Sequence, residues 1–345
     1  MCSSDLTAFQ ADRTVTFGMA KGGHYIHPGA GCCGAVEIAD IGIPLAMRRD
    51  AAGILLLDDS VVREAFPRRA VDANKGRFGH VLVVGGLHGK AGAGVLAATS
   101  ALRAGAGLVT LATDVESADL LEGRCPDLML ERAFRIDPEG VSVDLEALAN
   151  TMAQKRSTVI GPGLSTAAGC DALVDAVLGH RAPVVLDADA LNLLAARPRE
   201  ARRLGPDRVL TPHPGEAARW LDTTVEAVQQ DRLAALEALV RMSAATVVLK
   251  GAGTLVGAPD GRVAVCAAGS PALATAGTGD VLAGLIGALL GRGIPPFQAA
   301  CAAVQLHARA GEAGAMRFTE HGMTASDLVA LIPETLFGCT APDGP

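Results

Sequence analysis

The chain has 345 residues, 50% of them hydrophobic and 19% charged, which allows a large buried core and excludes global disorder. A formal net charge of −7 argues against a general nucleic-acid binder, though not against an anionic small ligand, because local backbone N–H groups bind phosphate whatever the global charge. The eight cysteines are scattered without any C-x-x-C, and no uninterrupted apolar run spans a membrane, so the expectation is a cytoplasmic protein with no zinc site, disulfide framework, membrane partner or nucleic-acid partner.

Residues 1–11 carry no structural signal, and Met1–Leu6 resembles translated adapter sequence, so a truncated reading frame is expected. Thr14–Phe17 and Val36–Gly42 read as strands, with turns at Gly22-Gly23 and Pro28-Gly29. A stretch of about thirty residues cannot bury a core alone. It must dock elsewhere or stay loose.

From about residue 60 strands and helices alternate. His80–Gly85 is an apolar strand, Ala91–Ala104 an Ala-rich helix stopped at Gly105, and Leu108–Ala112 the next strand. Thr158–Gly161 and Val184–Asp187 are short apolar runs suited to strands buried on both faces. Further strands are expected at Arg208–Thr211, Thr246–Lys250 and Thr254–Val256. Helices are expected at Pro214–Leu221, Val225–Ala244, Gly279–Leu290, Pro296–Arg317 and Thr324–Leu331. This alternation predicts an α/β fold with a mostly parallel central sheet and helices on both faces.

Several strand ends carry chemistry. Gly85-Gly86 and Gly161-Pro162-Gly163 are small-residue turns, but the first fits no complete dinucleotide fingerprint. Asp187 and Asp189 follow a strand, where they could hold Mg²⁺ through water or cap the next helix. Pro212-His213-Pro214 fixes His213 at a helix start, placed either to bond a substrate or simply to stand exposed. Lys250-Gly251-Ala252-Gly253-Thr254 is either a nucleotide turn or a hairpin with a surface lysine. Gly277-Thr278-Gly279-Asp280 opens an apolar helix. Its free N–H groups and dipole suit a phosphate, and Asp280 can accept a proton from an attacking hydroxyl; the plainer reading is an acid at a helix start after a glycine turn. Taken together, these loops describe a nucleotide-dependent, transferase-like cleft.

Over roughly 75–333 the residues resemble the carbohydrate-kinase-like NAD(P)H-hydrate dehydratases. The likeness rests on 101–109 (Ala-Leu-Arg-Ala-Gly-Ala-Gly-Leu-Val), Gly161-Pro162-Gly163, the 186–192 and 211–216 blocks, the 249–254 turn, 277–284 and 324–328, in that order. The resemblance implies a ribokinase-like domain over 60–335, with 1–50 as the truncated tail of an epimerase-like domain and 336–345 as a disordered tail. It implies that Ala93, Gly163, His213 and Asp280 contact the hydrated dinucleotide and that Asp280 is the base. Lys250, Gly251, Ala252, Gly253, Thr254 and Gly279 would hold ADP or ATP, a co-substrate accompanied by Mg²⁺, with no protein metal site. ADP is the expected nucleotide, and a homo-oligomer the expected assembly. All these motifs lie beyond Lys75, so residues 1–44 are expected to be dispensable for the chemistry. Ser165 stands where the family has glycine, Ser270-Pro271-Ala272-Leu273 replaces Asn-Pro-Gly-Met, and Ala276 replaces glycine. Two rival readings share the cleft: a small-molecule kinase of the same fold acting on a vitamin precursor or sugar, and a non-catalytic nucleotide sensor.

Overall fold

The computed structural model describes residues 8–44, 46–47, 53–137 and 139–341. Near the N-terminus β1 (Arg13–Phe17) and β2 (Ala35–Ala39) pair in parallel, with a one-turn helix, α1 (Ala30–Cys33), before β2. The predicted second strand stops early because the Asp40 carboxylate accepts the Gly42 N–H at 3.0 Å and turns the chain. Between these strands Tyr25 and Ile26 pack against the core of the main body, so this stretch is docked rather than loose.

The main body follows in chain order. Its first half holds β3 (Leu55–Leu56), α2 (Asp59–Ala65), β4 (His80–Val84), α3 (Ala91–Arg103), β5 (Leu108–Asp114), α4 (Val115–Leu121), β6 (Met129–Asp137), β7 (Gly140–Val143), α5 (Leu145–Met152) and β8 (Ser157–Ile160). Next come α6 (Cys170–Gly179), β9 (Val184–Leu186), α7 (Ala188–Ala195), β10 (Arg208–Leu210), α8 (Pro214–Leu221), α9 (Val225–Gln230), α10 (Arg232–Ser243) and β11 (Thr246–Leu249). The chain ends on β12 (Thr254–Gly257), β13 (Val263–Cys266), α11 (Thr278–Gly291), α12 (Pro296–Gly322) and α13 (Ala325–Thr340).

Among the described residues the large sheet has 11 strands, ordered β3-β13-β12-β11-β10-β9-β8-β4-β5-β6-β7. It is parallel from β11 to β6, and antiparallel at β11–β12, β12–β13 and β6–β7. From β4 the chain builds toward β6 on one side and, from β8, toward β11 on the other. The order therefore reverses between β4 and β8, and a crevice opens beyond their carboxyl ends, where open α/β sheets take ligands. The central strands are apolar on both faces and feed two core clusters, one on each side of the sheet.

Helix α11 lies inside one of these layers. All its residues are buried except Gly279 and Asp280, the two at the site described below. Small residues make this depth possible. A Cβ at Gly284 would collide with Ala97 O on α3, and one at Gly287 with the Val159 side chain on β8.

Two expected elements differ. The helix predicted over 225–244 is broken at Asp231, whose carboxylate caps the second half by accepting the Ala234 N–H at 2.9 Å. The tail predicted to be disordered from 336 is helical to Thr340, because Cys339 is buried and Leu336 packs on the core. Residues 342–345 of that tail, and 1–7 of the expected adapter-like start, lie outside the described residues.

Candidate active site

Glycine at 277 adopts φ +91°, a left-handed conformation that reverses the chain into α11. The Gly279 and Asp280 N–H groups belong to the first turn and have no acceptor within the helix, so they face outward with the positive end of the helix dipole. Thr278 ties the turn down: its hydroxyl donates to Leu273 O at 2.8 Å and Thr275 O at 2.9 Å. His307 from α12 supports it from beneath, with Nε2 2.9 Å from Thr278 O. Burial pushes the His307 pKa down to about 4, so the ring is neutral and Nε2 donates.

Lys250 at the end of β11 is the hub of the charges. Its Nζ lies 2.8 Å from the Asp187 carboxylate and 3.9 Å from that of Glu216. Burial opposes the lysine charge, but these two carboxylates outweigh it and hold its pKa above the ordinary value. Asp187 also accepts the Thr211 hydroxyl at 2.6 Å, and it makes no side-chain cap to α7. The helix-cap reading of Asp187 is therefore wrong, because its carboxylate is turned to Lys250 and Thr211 instead. Asp189 turns the other way, accepting the Ser165 N–H at 2.7 Å and pairing with Lys90 at 3.2 Å. Ser165 holds φ 74°, the glycine-type conformation of the family pattern, with a serine in it.

Asp280 feels the charges of this group. Burial pushes its carboxyl up, Asp187 adds to the rise, Lys250 works against it, and the result is a pKa of about 7 instead of 3.8. A carboxyl poised near neutrality at a helix N-terminus can take a proton at physiological pH and hold it.

A cleft of about 620 Å³ opens beside it. All of 250–254 lines this cleft, as do Thr278 and Gly279 at the α11 terminus and an apolar wall that includes Leu282, Val304 and Ala308. The volume suits a nucleotide-sized ligand. The structure thus gathers Lys250, Gly251, Ala252, Gly253, Thr254 and Gly279 into one wall. The expected substrate contacts lie outside that wall. Ala93 and Gly163 are neighbours at the β4/β8 crevice, where a Cβ on Gly163 would stand 3.1 Å from the Ala93 Cβ. His213 caps α8, with Nδ1 accepting the Gly215 N–H at 2.9 Å, and its half-exposed ring lies 3.5 Å from the Glu216 carboxylate. Burial and the nearby Lys250 lower its pKa, so it is a neutral imidazole. Asp280 directly follows Gly279, which lines the nucleotide-sized cleft. The cleft residues that sequence reasoning missed include two histidines, His27 and His307. Neither carries a motif, and both arrive through tertiary packing.

The chain resembles known proteins over most of its length. The NAD(P)H-hydrate dehydratase family model matches residues 81–334. A bifunctional NAD(P)H-hydrate repair enzyme of Moorella thermoacetica is 41% identical over 330 residues, 95% of this chain and 62% of that protein. An ADP-dependent (S)-NAD(P)H-hydrate dehydratase of Neisseria meningitidis is 42% identical over 252 residues, 72% of this chain and 81% of that one. The crystal structure of an ADP/ATP-dependent NAD(P)H-hydrate dehydratase from Bacillus subtilis, co-crystallized with ATP/Mg²⁺, superposes with a TM-score of 0.72 at 30% identity, covering 83% of this chain and 99% of that one. The fold is the expected ribokinase-like one. This chain spans less than two thirds of the length of the bifunctional relatives it matches.

Proposed function

The chain belongs to the NAD(P)H-hydrate dehydratase family, and from that premise we propose that it dehydrates the (S) epimers of hydrated NADH and NADPH at the expense of ADP, which becomes AMP and phosphate. The observation that carries this reading is the Asp280 carboxyl, raised to about 7, at the helix terminus that closes the cleft. On this reading residues 1–50 are the tail of an epimerase-like domain, and the protein acts in the cytoplasm.

Hydroxide is a poor leaving group, so the ring hydroxyl must be activated. Asp280 takes the hydroxyl proton, and the oxygen attacks the terminal phosphoryl group of ADP. The bond to the AMP oxygen breaks as the new P–O bond forms. The Gly279 and Asp280 N–H groups face the charge that develops, since positioning and electrostatics dominate phosphoryl transfer. Phosphate then leaves the ring carbon, pushed by the nitrogen lone pair, and loss of a proton from the adjacent carbon restores the dihydropyridine. The hydrated nicotinamide occupies the crevice of Ala93, Gly163 and His213. Among the described residues no three metal-binding side chains are arranged to hold a metal ion, and Asp187 is already paired. Mg²⁺ would therefore arrive with the nucleotide phosphates rather than in a protein cage.

The test is product analysis. Hydrated NADH with ADP should regain the absorbance of reduced nicotinamide and release AMP and phosphate in equal amounts. A stable phosphorylated product that accumulates would replace this reading with the kinase one.

A further inference from the structure

The nucleotide cleft has one wall that the family motifs do not supply. Thr254 pairs with Cys266 across β12 and β13, so Gly253 and Ala267, just outside that pair, lie side by side at the open end of the hairpin. His27, from the N-terminal segment, lines the cleft there. It also lines a second, adjoining pocket of about 320 Å³, and Gly253 and Ala267 are common to both. The segment is held in place by its backbone. A Cβ on Gly253 would stand 2.6 Å from Tyr25 O, so the two chains touch without a side chain between them. Tyr25 and Ile26 anchor in the core beneath. His27 is an exposed residue, not a buried one, and it lines both cavities.

Position along the sheet says which part of a nucleotide would meet it. Lys250 ends β11 and lies against Gly279, whose Cβ position is 3.3 Å from Nζ. That end, with the α11 terminus, takes the phosphates. Ala267 follows β13, two strands further across, a displacement of about 10 Å at the usual strand spacing. Between them the cleft wall is apolar, as a purine requires. An imidazole at the far end offers a flat aromatic face to a base and a ring nitrogen to a ribose hydroxyl.

We infer that His27 binds the nucleoside end of the nucleotide, so that the N-terminal segment completes a site whose other residues come from the dehydratase domain. This rests on the reading of the cleft as the nucleotide site, and the experiment separates the two. Titration calorimetry on the full chain and on His27→Ala would use ADP and inorganic pyrophosphate, which lacks the nucleoside. The expected result is a Kd for ADP about 5–20-fold weaker in the variant, the scale of a lost base–aromatic contact, with pyrophosphate affinity unchanged. Equal loss for both probes, or no loss for ADP, would overturn the placement of His27 and leave the nucleotide cleft standing. A wild-type chain that binds neither probe would remove the cleft assignment and this inference with it. His27 is exposed, so equal melting temperatures are expected and would show that the comparison is between folded proteins.

Discussion

Replacing Asp280 by Asn separates a catalytic carboxylate from an ornamental one by moving activity and stability in opposite directions. The rise of the Asp280 pKa from 3.8 to about 7 amounts to about 4 kcal/mol of bias against its charged form. The sign follows from linkage. Below pH 3.8 the carboxyl is protonated whether folded or unfolded and costs nothing. Between about 4 and 7 folding holds a proton that the unfolded chain has released, and the penalty grows to its full size above 7. Asn carries no charge and escapes it, though it remains a polar group in a partly buried place. A net gain of about 1–2 kcal/mol at pH 8.5 is expected, or roughly 1–3 °C in Tm for a chain of this length, fading to nothing near pH 4. The turnover rate should fall by about 10²–10⁴-fold, and the wild-type kcat/KM should show an acid limb near pH 7, where the base is lost by protonation. An acid that merely complements the helix dipole gives the opposite stability result, a loss of about 0.3–1 kcal/mol on neutralisation. Scanning calorimetry across pH 4–9, with an absorbance assay for restored NADH, reads both effects. A variant that is less stable than wild type at pH 8.5, or that keeps near wild-type turnover, would refute the assignment.

Lys250→Met should move the acid limb to higher pH, because Lys250 lowers the Asp280 pKa. It should also destabilise the fold by about 3–5 kcal/mol, since Asp187 and Glu216 keep buried charge without their cation; an unmoved limb would show that the lysine and the base are uncoupled. Glu312→Gln weakens a brace of the cleft wall, where the carboxylate accepts the Gly269 N–H at 2.9 Å and pairs with Arg309 at 3.0 Å. The KM for ADP should rise about 3–10-fold, the scale of one ordinary net hydrogen bond, while the KM for hydrated NADH holds; equal changes in both would deny the brace a nucleotide-specific role. Gly287→Val puts a branched side chain into the β8 contact, and overpacking there should cost at least about 1–3 kcal/mol. A wild-type melting temperature would mean that α11 has room it does not show.

The fold was legible wherever a local pattern carries it. The buried strands of the parallel region announce themselves as short apolar runs, and α8 starts at Pro214 and ends at Leu221 as its proline and periodicity predict. The elements that escaped lack such a pattern. Strand β6, second from the edge of the sheet, reads Met-Leu-Glu-Arg-Ala-Phe-Arg-Ile-Asp, mixed in polarity because its face is largely exposed. Helix α13, expected to end at Leu331, continues through Pro333 to Thr340, its apolar face held by the core. The site divides in the same way. Gly277–Asp280 and 250–254 are contiguous and could be read directly. The role of Lys250 could not, because Asp187 and Glu216 reach it from β9 and α8. His27 lies far from Gly253 in sequence, and no local pattern announces that the two line one cleft.

The ion pairs also change what the site asks of each charge. Read as a sequence, Lys250 is the cation that meets the phosphates. In the fold it is already committed to Asp187 and Glu216, which leaves little of its charge for a ligand. An incoming diphosphate therefore meets a lysine balanced by two carboxylates and a third carboxyl, Asp280, that the surroundings hold near half protonation at pH 7. The attraction must come from groups that no carboxylate neutralises: the first N–H groups of α11 and the glycine-rich turn at 251–253. The buried cluster does another task. Burial first, and then the Asp187 carboxylate against the pull of Lys250, keeps Asp280 basic enough to bind a proton at neutral pH, which a free carboxyl with a pKa of 3.8 would not do.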